Sequence, residues 1–425
     1  MSQATIAIII LAIAVVMFIT ELIPVSVTSI CAMLTMGVFG IISWNDAFSG
    51  MSNSIIFFLI GTAILGECYF STGLANVIGH RLLKFGRNGI SEKGMLFVLF
   101  LIGALTSAVF NGAMIVAVMF PIIDAIAMNS KGRMHSKNLY IPTAISTVFG
   151  SNLTIIGSTS MMLAVRLLSE SDYGISLNFF APFWIGLPGS IIAIIAFMTF
   201  AYRMQLKYFD FDDISHGSAQ ETNDDDPKMA GKCWIVLAAT VLTILAVALG
   251  FDYGAAAMIC VVVLISAKCI DVKRAYSGVC WETIFVVAGS LGFAKGINSS
   301  GAGNVIADFV LGICGPISGS ACAMSIVILF LATLISNFMS NGAAVSIVCP
   351  LGIAIATSLG VSPIPFVIAT AVGANLSVAT PICVTQITMC ISAGFRPKDI
   401  FRVGGLINLL AFIVTAFALA MVYYV

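Results

Sequence analysis

The chain is poor in charge. Only 9% of its 425 residues are Asp, Glu, Lys or Arg, while 60% are hydrophobic. A soluble domain carries roughly a quarter charged residues, so an ordinary soluble protein is excluded. Strand-length alternation of polar and apolar residues is missing too, which excludes a transmembrane β-barrel. The eleven cysteines lie mostly in apolar runs and form no CxxC pair, so they read as small hydrophobes rather than metal ligands or disulfides. Net charge is zero and no basic patch stands outside the apolar runs, so nucleic acid is not an expected partner. No cluster of acids, His or nucleophile–base pair falls at membrane depth, so the chain does not read as an enzyme. Met1-Ser2-Gln3 lacks the basic start of a secretory signal, and 4–20 is expected to be a retained helix.

Long apolar runs are abundant, many of them near the roughly 20 residues that span a bilayer. They fall at 4–20, 25–42, 54–74, 95–129, 140–168, 179–201, 233–249, 254–270, 281–297, 318–359, 364–392 and 402–424. The expectation is an all-α polytopic protein of the inner (plasma) membrane, with the lipid bilayer as its surroundings. Residues 203–231 form a hydrophilic stretch rich in Asp, Ser, Gly and Asn, expected to be a solvated cytoplasmic linker. It divides an N-terminal membrane half, 1–202, from a C-terminal half, 232–425.

Two runs are interrupted by polar, flexible residues. Ser340-Asn341-Gly342 breaks 318–359, and Phe110-Asn111-Gly112 breaks 95–129. Asn is costly in hydrocarbon and Gly loosens a helix. Lys and Arg gather in five clusters, with only Arg166 and Lys295 outside them. Basic clusters flank both ends of 95–129, and neither end of 318–359 has one. With all clusters cytoplasmic, the first run reads as a re-entrant hairpin entering from inside and the second as a hairpin entering from outside; two full crossings joined by a tight turn would preserve sidedness too, but would set an apolar flank such as Ala343-Ala344-Val345 at the surface.

The two halves also repeat. Residues 71–78 match 299–306 at five of eight positions, Asn111 matches Asn341, and Gly150-Ser151-Asn152-Leu153 matches Gly373-Ala374-Asn375-Leu376, in the same order. The charge map runs the halves in opposite senses, giving two inverted repeats. Each has a re-entrant hairpin and a broken transmembrane helix, a plan that puts a binding site at the bilayer midplane.

These residues resemble the divalent anion/sodium symporter family, within the wider ion transporter superfamily. Thr20 to Thr28 is similar to that family's early TEAIP-type motif. Ser340-Asn341-Gly342 resembles its Ser-Asn-Thr hairpin tip, Ala379-Thr380-Pro381 its Ala-Thr-Pro turn, and 394–404 the entry to its closing helix. The chain departs from the pattern at Phe110 and Gly112, which lack the hydroxyls of the tip motif, and at Gly342, which stands for Thr.

The resemblance implies Na⁺-coupled symport of a small divalent organic anion such as a C4-dicarboxylate, by elevator-type alternating access in a homodimer. Carried over residue by residue, one Na⁺ site takes Thr106, Asn111 and Gly157, the other Ser336, Asn341 and Ala379. The anion lies near Asn111, Gly112, Ser158, Thr159, Ser340, Asn341, Gly342, Thr380 and Pro381. A dicarboxylate exchanger, or a permease for sulfate or arsenite, is the alternative; a channel ranks below both. No charged residue is expected at this site. Importing a dianion against about 100 mV costs about 4.6 kcal/mol, which co-bound cations would offset. Gln386 could touch substrate but is read first as packing between helices, and Glu67 and Lys295 as reaching opposite interfaces.

Overall fold

The computed structural model describes residues 2–20, 22–72, 90–130, 132–171, 173–209, 232–381 and 384–424. Every regular element among them is helical. The first half holds α1 (Gln3–Thr20), α2 (Val25–Val38), the short α3 (Trp44–Phe48), α4 (Ser54–Ser71), α5 (Glu92–Ser107), α6 (Gly112–Asn129), α7 (Ser136–Gly150), α8 (Thr159–Ser169) and α9 (Phe183–Tyr208). The second half holds α10 (Lys232–Ala248), α11 (Tyr253–Ser266), α12 (Val272–Ser277), α13 (Trp281–Ser299), α14 (Ala302–Cys314), α15 (Ala321–Ser336), α16 (Asn341–Leu359), α17 (Ile364–Asn375), α18 (Thr385–Ser392) and α19 (Pro397–Tyr424).

Three helices, Phe183–Tyr208, Asn341–Leu359 and Pro397–Tyr424, are long and apolar enough to cross a membrane unaided. The other apolar helices are shorter, at 18 residues or fewer, or carry more polar residues. Their outer faces are greasy: Trp234, Leu242, Leu245 and Leu249 on α10, and Leu409, Ile413 and Phe417 on α19, are all exposed. An apolar exterior of this extent belongs to a protein solvated by lipid.

Each long interrupted run is a helix, a break and a second helix. The breaks fall where side chains can take over the orphaned N–H groups of a helix start. Asn111 caps α6 by accepting from the Ala113 N–H, and Ser340 caps α16 by accepting from the Ala343 N–H. The broken runs follow the same logic. Helix α7 ends at Gly150, and α8 restarts under a Ser158 cap that accepts from the Met161 N–H. Helix α17 ends at Asn375, and α18 restarts at Thr385 with no side-chain cap.

The element order α5–α6, α7–α8, α9 recurs as α15–α16, α17–α18, α19. In each half the first arm of the pair packs on the helix that follows it, α5 on α7 and α15 on α17. Both contacts depend on a glycine. A Cβ at Gly150 would lie 2.2 Å from the Ala104 carbonyl oxygen, and one at Gly373 2.8 Å from that of Leu329. Close backbone approach of this kind is how helices associate where lipid removes the hydrophobic drive. The central α13 is buried along most of its length and packs on α2.

The start of each pair is fastened to the closing helix of its half. The Tyr202 hydroxyl of α9 donates to Glu92 Oε2 at 2.6 Å, and Lys93 Nζ reaches the Met198 carbonyl at 3.4 Å. Met198 lies in a π turn over Phe197–Ala201, where the wider ring loosens the carbonyl ladder. In the second half, the Tyr424 hydroxyl of α19 donates to the Ala321 carbonyl at 3.2 Å.

Several elements differ from the sequence expectation. Helix α9 runs on to Tyr208, into the stretch assigned to the linker, and Arg402 lies over the Tyr208 ring at 4.7 Å. The rest of that stretch, 210–231, lies outside the described residues, as does most of the 71–78 repeat motif. Helices α3, α12 and α14 went unread because each is too short to stand out as an apolar span.

Candidate functional site

The two breaks and the two restarts meet around one cavity of about 810 Å³. One wall comes from the tips and restarts: Asn111, Gly112, Gly157, Ser158, Thr159, Ser340, Asn341, Gly342, Asn375, Thr385 and Gln386. The other comes from α2, α4 and α13, with Val25, Phe58, Thr62, Glu67, Glu282, Thr283 and Val286.

A hydrogen-bonded network fills the second-half side. Its hub is Asn375, at the end of α17. Asn375 Oδ1 accepts from Asn341 Nδ2 (2.9 Å) and Ser160 Oγ (2.6 Å). Its Nδ2 donates to Asn152 Oδ1 (2.8 Å) and Ser158 Oγ (2.7 Å). All four hydrogen-bonding positions of this carboxamide are therefore filled. Burial makes the satisfaction necessary, since an unpaired amide in an apolar interior costs about 1–3 kcal/mol. One residue thus ties together the second tip, the end of α7 and the start of α8.

Around Asn341 four oxygens converge. Ser336 Oγ donates to Asn341 Oδ1 at 2.7 Å and lies 2.8 Å from the Ala374 carbonyl. Ser377 Oγ lies 3.0 Å from Ser336 Oγ and 3.1 Å from Asn341 Oδ1. Hydroxyl, amide and carbonyl oxygens without thiol or imidazole are a donor set for a hard cation. No cluster of His, Cys, Asp or Glu able to hold a metal ion occurs among the described residues.

The first-half side is built differently. Asn111 is exposed to the cavity, and its side chain's one hydrogen bond among the described residues is the cap to Ala113. Thr106 donates back into its own helix, to the Ile102 carbonyl at 2.6 Å. Its neighbour Ser107 is fully buried and bonds the Thr147 carbonyl. The uncapped start of α18 lies at the cavity, with Thr385 and Gln386 in its lining. A helix start carries about half a positive charge.

Of the expected anion residues, Asn111, Gly112, Ser158, Thr159, Ser340, Asn341 and Gly342 line the cavity. Thr380 and Pro381 are not in the lining. Thr380 Oγ1 donates to the Asn337 carbonyl at 2.5 Å, and the neighbouring Ala379 N–H donates to Asn337 Oδ1 at 3.2 Å. Of the expected cation residues, Asn111, Gly157 and Asn341 line the cavity, Ser336 is bonded to Asn341, and Thr106 and Ala379 are not in the lining. Ser377 and the Ala374 carbonyl stand where the sequence reading placed Ala379. Their signal was the run Asn375-Leu376-Ser377 at a helix end, where carbonyls lose their intrahelical partners.

The expectation of an uncharged site holds for the tips and fails for the opposite wall. Glu67 and Glu282 line the cavity, and no Lys or Arg does among the described residues. The sequence reading drew the site from the four breaks and left out the helices facing them. Glu67 accepts from Arg274 Nε at 2.7 Å. Lys295, its counterpart in the repeat, donates to Ser49 Oγ at 2.8 Å and lies 4.0 Å from Asp46.

Comparison with known proteins gives this geometry a family. A family model described as citrate transporter matches residues 15–346. An uncharacterized transporter of Haemophilus influenzae is 22% identical over 423 residues, covering 94% of this chain and 88% of that one. An uncharacterized transporter of Synechocystis is 30% identical over 179 residues, a match that takes in 42% of this chain and only 28% of that relative. Among solved structures, the Alcanivorax borkumensis YdaH transporter superposes with a TM-score of 0.65 at 14% identity, over 88% of this chain and 86% of its own. Neisseria gonorrhoeae MtrF, described with a class of antimetabolite efflux pumps, gives a TM-score of 0.64 at 12% identity, over 100% and 96%. At such identities the likeness is one of fold. The match across residues 15–346, beside a relative and a solved structure that are named as transporters, makes this chain a membrane-embedded secondary transporter of the ion transporter superfamily, and it belongs to the citrate transporter family.

Proposed function

We propose that the protein is a Na⁺-coupled symporter that takes up a small carboxylate dianion or trianion, of the size of succinate or citrate, across the inner (plasma) membrane. The observation that carries this reading is the cavity of about 810 Å³, framed by two helix–break–helix tips and two helix restarts and lined on that side by uncharged polar groups. An anion in such a place meets N–H donors and helix starts, and a hard cation meets the oxygens around Asn341.

In this reading the α5–α6 and α15–α16 pairs are re-entrant hairpins from opposite faces, in two inverted repeats of the divalent anion/sodium symporter type. Na⁺ lies among Ser336 Oγ, Asn341 Oδ1, Ser377 Oγ and the Ala374 carbonyl, with a second ion near Asn111 and Gly157. The tips and restarts move as one body against α2, α4 and α13, in a homodimer. With no cationic side chain in the lining among the described residues, the co-bound ions supply the positive charge that brings an anion against the membrane potential.

A second reading has its own observation. Glu282, in the first turn of α13, brings a titratable carboxylate to the cavity, which favours proton coupling in place of Na⁺. Uptake of labelled citrate, succinate and sulfate into proteoliposomes decides among these. An inward Na⁺ gradient should accelerate carboxylate uptake. Acceleration by a pH gradient alone, lost in Glu282→Gln, selects proton coupling. Uptake indifferent to both gradients but dependent on internal dicarboxylate makes the protein an exchanger, and transport of sulfate alone makes it an inorganic anion permease.

A further inference from the structure

The two tips are not chemically equivalent. At the second, Gly342 has room: a Cβ there would meet only Val286 Cγ1, at an ordinary 3.4 Å. At the first, the space beside Gly112 is taken. A Cβ on Gly112 would lie 2.5 Å from the side-chain nitrogen of Gln386, on the first turn of α18. The missing side chain at 112 therefore leaves the place that the Gln386 carboxamide fills, and this carboxamide lines the cavity.

Hydrogen bonding separates the two sides further. Around the second tip, Asn341, Asn375, Asn152, Ser158, Ser160, Ser336 and Ser377 are bonded to one another. Five cavity-lining groups are left without a protein partner among the described residues: Asn111 Nδ2 and the side chains of Thr159, Glu282, Thr385 and Gln386. Three of these five lie at the Gly112–Gln386 side, and of the other two Glu282 is a carboxylate that would repel an anion. A ligand recognised without breaking the network is recognised there.

Resting on the anion-transport reading above, we propose that Gln386 is a substrate-binding and selectivity residue. Its side-chain N–H, seated over Gly112 in the cavity that Asn111 also lines, donates to an oxygen of the transported oxyanion. The Asn341–Asn375 network holds the second tip and the start of α8 in place and accommodates the cation. Carboxylates and inorganic oxyanions present the same acceptor chemistry to this amide. Two neutral donors in place of cationic groups suit an anion that must be released on the far side of the membrane, because they bind it without trapping it.

The test is uptake kinetics in proteoliposomes with labelled citrate, succinate and sulfate, for wild type, Gln386→Ala, Gln386→Glu and Gly112→Ala. Folding is checked by gel filtration and thermal unfolding in detergent. Gln386→Ala should raise the apparent KM of the transported anion about tenfold, the loss of one hydrogen bond to a charged group, with the maximal rate little changed. Gln386→Glu, which faces the anion with a carboxylate, should abolish uptake in a folded protein. Gly112→Ala should push the flexible carboxamide aside and raise KM in the same direction. Whichever anion the wild type carries supplies the KM, so a sulfate transporter tests the inference as well as a citrate transporter does. Gln386→Glu working at the wild-type KM overturns the inference and leaves the proposed function standing. A Gln386→Ala defect confined to maximal rate also overturns it. A wild type that carries none of the three anions overturns both.

Discussion

Asn375 donates through Nδ2 to Asn152 Oδ1 at 2.8 Å, and the two asparagines hold the same place in the two halves of the chain, 223 residues apart. The halves are thus joined at the cavity by a bond between counterparts. Each asparagine lies at a helix end, two residues beyond the glycine whose close contact lets its helix approach the neighbouring arm.

Removing the hub should be costly. Asn375→Ala deletes four hydrogen bonds at a buried position and should lower stability by about 2–4 kcal/mol, read as a fall in the unfolding temperature in detergent. Asn152→Ala should cost less. The double variant should cost less than the sum of the two, since they share a bond. Full additivity would show that the network does not act as a unit.

The glycine contacts give a cleaner contrast. Gly150→Ala drives a Cβ into the Ala104 backbone and should destabilise by about 1–3 kcal/mol. Gly312→Ala, in α14 with nothing within 4 Å of the added carbon, should be neutral or stabilising by about 0.5–1 kcal/mol. Thermal unfolding of the two variants side by side checks the difference.

Glu67 and Arg274 set the charge of the wall opposite the tips. Both are partly exposed, so breaking the pair should change stability by no more than about 1 kcal/mol. Function should respond more. Arg274→Gln leaves the carboxylate uncompensated, and the apparent KM of an anion should rise several-fold at low ionic strength. Salt should erase the effect as the Debye length shrinks to about 10 Å at 0.1 M, and Glu67→Gln in the same protein should restore the wild-type KM.

Ser377 tests the cation assignment. Ser377→Ala removes one of the four oxygens around Asn341 and should raise the Na⁺ concentration for half-maximal uptake about tenfold, equivalent to about 1.4 kcal/mol. At saturating Na⁺ the anion KM should stay near wild type. A change confined to the anion KM would move the cation elsewhere.

The breaks were legible in the sequence because an asparagine and a glycine inside an apolar run have few structural alternatives. Asn111, Gly112, Asn341 and Gly342 reach the cavity as their repetition suggested. What the sequence hid was direction. Thr106 and Ser336 are counterparts by position, yet one hydroxyl turns back to Ile102 and the other reaches Asn341. The difference comes from the packing of each arm, which spacing does not encode. Gln386 and Glu67 read as helix-packing and interface residues because composition cannot say that a short helix starts at a cavity. Asn152 and Asn375 were visible as a repeated pair, but only the fold brings the pair together.

The tyrosine attachments at the arm starts bear on how the molecule divides when it moves. Tyr202 holds Glu92, Lys93 holds the π turn, and Tyr424 holds Ala321. In the alternating-access motion proposed above, a displacement of the tips passed down their arms would reach α9 and α19, so the travelling unit that these attachments favour is a pair of five-helix blocks, α5–α9 and α15–α19, rather than two loose flaps.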